Sequence, residues 1–170
     1  MNRWRTVSAS ELSCCSSSWA AACLPHQTVS KINRESAAML YNHGLDLIAE
    51  GKMQEAGKEL LRASEIDIGD ADALCEIGRL EIKNGRLDSA AAYLDKALLR
   101  DFEHAGALNN RAVVEFLSGH YNEAAGMFRS AVKANPELAD AWFNLADCCE
   151  EIGDLEGMEE ARLRYQALIT

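Results

Sequence analysis

From Ala105 to Pro136 the chain reads AGALNNRAVVEFLSGHYNEAAGMFRSAVKANP. Apolar residues recur there every three or four positions in two runs, with a polar turn between them. That period belongs to amphipathic helices and not to strands, so the stretch predicts two short helices joined by a tight turn. The same pattern begins 34 residues earlier at Ala71, earlier again at Ala37, and once more at Ala139. Self-similarity at one fixed period is the mark of a stacked array. The expected units are residues 37–70, 71–104, 105–138 and 139–170, preceded by a segment 1–36 with no helical or strand period.

Numbering each unit from its first alanine exposes the phase. Position 4 is large and apolar (Leu40, Leu74, Leu108, Trp142), and position 8 is small (Gly44, Gly78, Ala112, Ala146). Position 15 is always glycine (Gly51, Gly85, Gly119, Gly153). Positions 20 and 27 are alanine in the first three units, then Met158 and Tyr165. Small residues at 8 and 20 let the two helices of a unit approach closely, because interaxial distance follows side-chain size. An alanine at 27 leaves room for the next unit. Glycine at 15 fits a helix end that turns through the left-handed region. Asn135-Pro136 closes one second helix.

This pattern resembles the tetratricopeptide repeat family, and the third unit carries it best through Leu108, Ala112, Gly119, Tyr121, Ala124, Phe128, Ala131 and Pro136. The resemblance covers residues 37–170; its departures are Ile68 and Phe102 where the family has proline. It implies an all-α, right-handed solenoid of antiparallel helix pairs, with a concave face built from the first helix of each pair. In that family the concave face receives peptide segments of other proteins.

Helix geometry puts positions 2, 5, 6, 9, 12 and 13 of each first helix on one side, which the resemblance identifies with the groove. The residues expected to line it are Tyr41, Asn42 and Leu45; Glu76 and Arg79; Asn109, Asn110, Val113 and Phe116; and Phe143, Asn144 and Asp147. Position 6 reads Asn42, Glu76, Asn110, Asn144. An amide both donates and accepts, so a ladder of asparagines along the groove could pair with an extended backbone; the alternative is that these amides cap local groups or face water. Apolar groups from units one and three, with Asp140, Asp147, Glu150 and Glu151 at the far end, predict a partner with apolar anchors and a basic end. A clamp for a C-terminal carboxylate needs Lys and Arg, which the matching positions Tyr41, Leu45, Glu76, Gly106, Cys75, Asn110 and Asp140 lack beside Arg79.

The last unit departs most. Leu155, Met158, Tyr165 and Leu168 form one stripe of its second helix against Glu156, Glu159, Glu160, Arg162 and Arg164. Two readings stand. A solenoid end needs a polar outer face, so this helix can be a cap. Alternatively Tyr165, lying where another unit would dock, is a self-association candidate, giving a scaffold that is a homodimer or higher assembly instead of a monomer.

Charge narrows the partner. The chain carries −10 formally; residues 1–36 contribute +2, leaving −12 on residues 37–170, so a nucleic-acid surface is excluded. None of the six cysteines forms CxxC, and no metal ligand set has zinc spacing. Cys75, Cys148 and Cys149 are expected as small core fillers, and His43 as a hydrogen-bonded core histidine. With no nucleophile–base set and no phosphate loop, neither catalysis nor a cofactor is expected. Free thiols suit a cytoplasmic protein. The competing reading rests on Ala20-Ala21-Ala22-Cys23 behind a basic start, an exported, periplasmic or lipid-anchored form. Glu11 and the serines interrupt the apolar core such a signal needs. Otherwise residues 1–36 hold too little apolar mass to repay ordering, and no run spans a bilayer.

Overall fold

A computed structural model describes residues 26–67 and 70–170, with side chains from residue 31 onward. Among the described residues the chain forms eight helices and no strand: α1 (His26–Ala49), α2 (Met53–Ile66), α3 (Asp72–Lys83), α4 (Leu87–Arg100), α5 (Ala105–Leu117), α6 (Tyr121–Ala134), α7 (Ala139–Ile152) and α8 (Leu155–Ile169). Each expected unit is one antiparallel pair. Within a pair the turn is set by its glycine: φ is +80° at Gly51, +71° at Gly85, +82° at Gly119 and +77° at Gly153. The residue after each glycine donates its N–H back to a carbonyl five residues earlier, as Arg86 does to Glu81 O and His120 to Glu115 O, both at 2.9 Å. Those bonds satisfy carbonyls that a helix end leaves open.

Pairs nest through a repeated set of small residues. Ala56, Ala90, Ala124, Ala97 and Ala131 are wholly enclosed. Leu60, Leu94 and Phe128, all at position 24, fill the space opposite the small position 8. The core is nearly continuous, one cluster spanning α1 to α5 and a second spanning α5 to α8. Cys75, Cys148 and Cys149 are buried free thiols within it. Side chains also lock unit to unit. Arg100 donates from Nη1 to Asp70 O at 2.7 Å and from Nη2 to Ser64 O at 3.2 Å, holding the end of α2. His104 caps α5 by accepting from Ala107 N–H at Nδ1, 3.0 Å, so its Nε2–H donates to Asp72 at 2.8 Å.

First helices converge and second helices fan out: α3 packs on α5 and α5 on α7, in addition to each helix packing on its chain neighbours. This is the all-α superhelix, with α1, α3, α5 and α7 along its inner side. Two expectations need correction. Helix α1 starts at His26, inside a segment expected to lack helix; residues 31–35 are exposed and carry a Lys31–Glu35 pair at 3.9 Å, and extending an existing helix costs far less than nucleating one. The expectations for residues 1–25, Cys23 included, fall outside the described residues. His43 is exposed and not a core histidine, since no helix among the described residues covers that side of α1.

Helix α8 packs in its own way. Where α2, α4 and α6 place Leu60, Leu94 and Phe128, it has Arg162, which is exposed and donates to Glu150 at 2.6 Å. Ala161 is enclosed instead, while Leu155 and Leu163 stay open to solvent.

Candidate functional site

The inner face is not a uniform lining. Position 5 alternates with context: Tyr41 is half-buried, Cys75 and Asn109 are 5% and 7% exposed, and Phe143 is 48% exposed. Side chains at this position point toward the next first helix. A Cβ built on Gly106 of α5 would lie 3.5 Å from Cys75 Sγ, which shows how closely α5 approaches α3 there. Asn109 is therefore an internal bridge and not groove surface. Phe143 has no first helix over it among the described residues and rests on Tyr165 of α8, ring centroids 5.5 Å apart. That contact half-buries Tyr165 within its own unit.

The asparagines form a chain among themselves. Asn144 Nδ2 donates to Asn109 Oδ1 at 3.0 Å, Asn109 Nδ2 to Asn110 Oδ1 at 3.4 Å, and Asn110 Nδ2 to Cys75 Sγ at 3.5 Å. Three first helices are thereby linked side chain to side chain. The last two bonds are long, and a thiol is a weak acceptor, so Asn110 is the amide held most loosely. Asn42 is exposed on α1. Glu76 at the equivalent position is held by Arg79, with Nε at 2.9 Å and Nη2 at 2.5 Å.

Between these polar groups lies apolar surface. Leu45, Ile48, Ile82, Val113 and Phe116 are half-buried, and Leu117 is exposed. Phe116 leans edge-on against Tyr121 at 5.2 Å. Burial, with Glu76 and Asp72 adding to it, pushes the Tyr41 hydroxyl up to about 12. Burial and Glu76 likewise push the Cys75 thiol up to about 12, so both remain protonated at neutral pH. Cys148 is raised to about 11, chiefly by burial, and Cys149 is raised for the same reason; these are inert thiols, not nucleophiles. At the far end Asp147 is half-buried while Asp140 and Glu151 are exposed, and Glu150 is held by Arg162. Among the described residues no group of three or more His, Cys, Asp or Glu is placed to hold a metal ion, and no helix is long and apolar enough to cross a membrane.

A wide cleft lies elsewhere. About 960 Å³ opens between α2, α3 and α4, walled by Met53, Leu61, Ile77 and Tyr93. Sequence reasoning gave it no role, because each of those side chains reads as ordinary packing.

Known proteins share the architecture. The tetratricopeptide repeat model matches residues 75–125 and 118–167, more than half of the chain. Human tetratricopeptide repeat protein 8 is 31% identical over 97 residues, which are 57% of this chain and 18% of that protein. The thioredoxin TTL4 of Arabidopsis thaliana, which contains such repeats, is 27% identical over 116 residues, 68% of this chain and 16% of its own. The chain thus spans less than a fifth of these curated relatives. Among solved structures, pilF of Pseudomonas aeruginosa superposes with a TM-score of 0.72 at 23% identity, covering 80% of this chain and 62% of its own. The first such domain of Spaghetti (RPAP3), bound to the HSP90 peptide SRMEEVD, gives 0.64 at 15% identity, over 70% of this chain and 94% of that one. The match over the second to fourth helix pairs, together with the phased glycines and alanines, places this chain in the tetratricopeptide repeat family.

Proposed function

We propose that the chain is a non-catalytic adaptor whose residues 37–170 receive an extended segment of a partner protein along α1, α3, α5 and α7. The observation that carries this reading is the inner row of half-buried apolar side chains, Leu45, Ile82, Val113 and Phe116, interleaved with the loosely held amide of Asn110. Apolar burial at roughly 25 cal/mol per Å² supplies the affinity. Each amide bond to the ligand backbone adds about 0.5–1.5 kcal/mol and fixes register. The peptide in the RPAP3 structure is acidic. Here Asp140, Asp147 and Glu151 border the groove, which favours a segment with a basic end. Buried free thiols support a reducing, cytoplasmic setting.

Self-association through α8 has weaker support. Positions 21, 24 and 28 are Ala91, Leu94, Leu98 in α4 and Ala125, Phe128, Val132 in α6, all buried or half-buried; in α8 they are Glu159, Arg162 and Gln166, all exposed. A charged face is a poor seat for another unit.

The test is affinity capture by the full chain from native extract, compared with Asn110→Ala/Phe116→Ala. The variant should lose the captured partner while retaining its far-ultraviolet helicity. Undiminished capture by a folded variant would exclude the groove.

A further inference from the structure

One corner of the solenoid carries surface of the opposite character to the groove. Where a second helix passes to the next unit, positions 32, 4, 26 and 30 enclose a cleft, and two such clefts lie side by side. The first, about 410 Å³, is lined by Phe102, Leu108, Ser130 and Ala134, with Lys133. The second, about 390 Å³, is lined by Val132, Pro136, Trp142 and Leu168, with Lys133 and Arg164. They are the same site one repeat apart: Phe102 and Pro136 share a position, as do Leu108 and Trp142, Ser130 and Arg164, Ala134 and Leu168. Phe102 is 76% exposed and Leu168 40%. The indole of Trp142 donates to Pro136 O at 2.8 Å, which fixes the ring as a wall.

Arg129 holds Asp154 and Arg162 holds Glu150, whereas Lys133 and Arg164 are exposed and have no side-chain partner among the described residues. Two unpaired cations therefore line these clefts on a body of formal charge −12 (−10 for the chain less +2 for residues 1–36). Glu103 also lines the first cleft, whereas no carboxylate lines the second, the more apolar of the two.

We propose that this corner is a second docking surface, distinct from the groove, for an acidic segment of a partner protein. Two apolar side chains of that segment enter the two clefts, and its carboxylates meet Lys133, which both clefts share, and Arg164. The carboxylates of the groove would repel such a segment. The two surfaces thus select oppositely charged segments, and one chain can hold both at once.

The probe is a blocked nonapeptide with two leucines set among glutamates, beside matched peptides carrying glutamine or lysine in place of glutamate. Each is titrated into the full chain, and the indole N–H resonance of Trp142 is followed by nuclear magnetic resonance. The glutamate peptide should shift it saturably, the glutamine peptide less, and the lysine peptide not at all. Lys133→Gln/Arg164→Gln should weaken the glutamate peptide by about two- to thirtyfold, the span for two exposed charge pairs. Lys133→Glu/Arg164→Glu should invert the order of the peptides. Both substitutions are at exposed positions, and circular dichroism checks that they fold. A Trp142 signal unmoved by millimolar glutamate peptide, equal shifts by all three peptides, or affinity indifferent to both double variants would overturn the proposal.

Discussion

Gly78→Ala tests the packing rule that sets the spacing of the pairs. A Cβ on Gly78 would fall 2.5 Å from Leu94 Cγ and 2.7 Å from its Cδ2. Leu94 is wholly enclosed and has nowhere to swing, so α3 and α4 must separate. Overpacking of this kind costs about 1–3 kcal/mol, and the enclosed site argues for the upper end. Replacing a helical glycine by alanine returns about 1 kcal/mol, leaving a net loss near 2 kcal/mol. Gly126, within α6, is an internal control: nothing lies within 4 Å of its added Cβ, so the same substitution there should stabilise by up to about 1 kcal/mol. Leu94→Ala alone should cost about 2–5 kcal/mol. In the Gly78→Ala/Leu94→Ala chain the new methyl occupies part of the vacated space, so the double loss should fall short of the sum by about 2 kcal/mol. Urea unfolding followed at 222 nm reads all four variants, with midpoints compared at unchanged slope. Equal effects at Gly78 and Gly126, or additivity in the double variant, would refute the close-approach argument.

Arg100→Ala should destabilise by about 1–2 kcal/mol, because two buried-side carbonyls lose a charged donor, and amide exchange should accelerate at 70–72; Arg100→Lys should recover only part of it. Glu115 is held below the usual carboxylate range, first by the His120 hydrogen bond and then by Arg111. Its contribution is therefore present above the unfolded-state value and disappears as pH falls through the lower folded one. Stability of the native chain should drop below about pH 4.5, and Glu115→Gln should flatten that limb in denaturant titrations at stepped pH.

Much of this architecture was legible because each rule acts over a few residues. Glycine at position 15 enforces a positive φ wherever it stands, and alanines at 20 and 27 are enclosed in every unit that has them. Phase alone therefore gives the helices, their pairing and their stacking. The start of α1 at His26 escaped the same reasoning, since residues 31–36 bury almost nothing and residues 26–36 show no amphipathic period. Helix propagation leaves no pattern to read.

The groove was legible only in part, and the reason is curvature. A helical wheel treats positions 5 and 6 as equal neighbours on one face. Bending the stack inward brings each first helix over position 5 of the one before it, which encloses Cys75 and Asn109 but leaves Phe143 open. It also brings Asn144 within 3.0 Å of Asn109, a pairing between residues 35 apart that no single-helix argument contains. The corner clefts were missed for a related reason. Along the chain Phe102 reads as a missing proline and Trp142 as one more large position 4, and only stacking puts them on neighbouring clefts that share Lys133. What a periodic sequence encodes directly is the contact within a unit. The surfaces proposed to meet other molecules arise between units, where small differences at equivalent positions, Asn for Glu at 6 or Arg for Ser at 26, would set which charge is welcome.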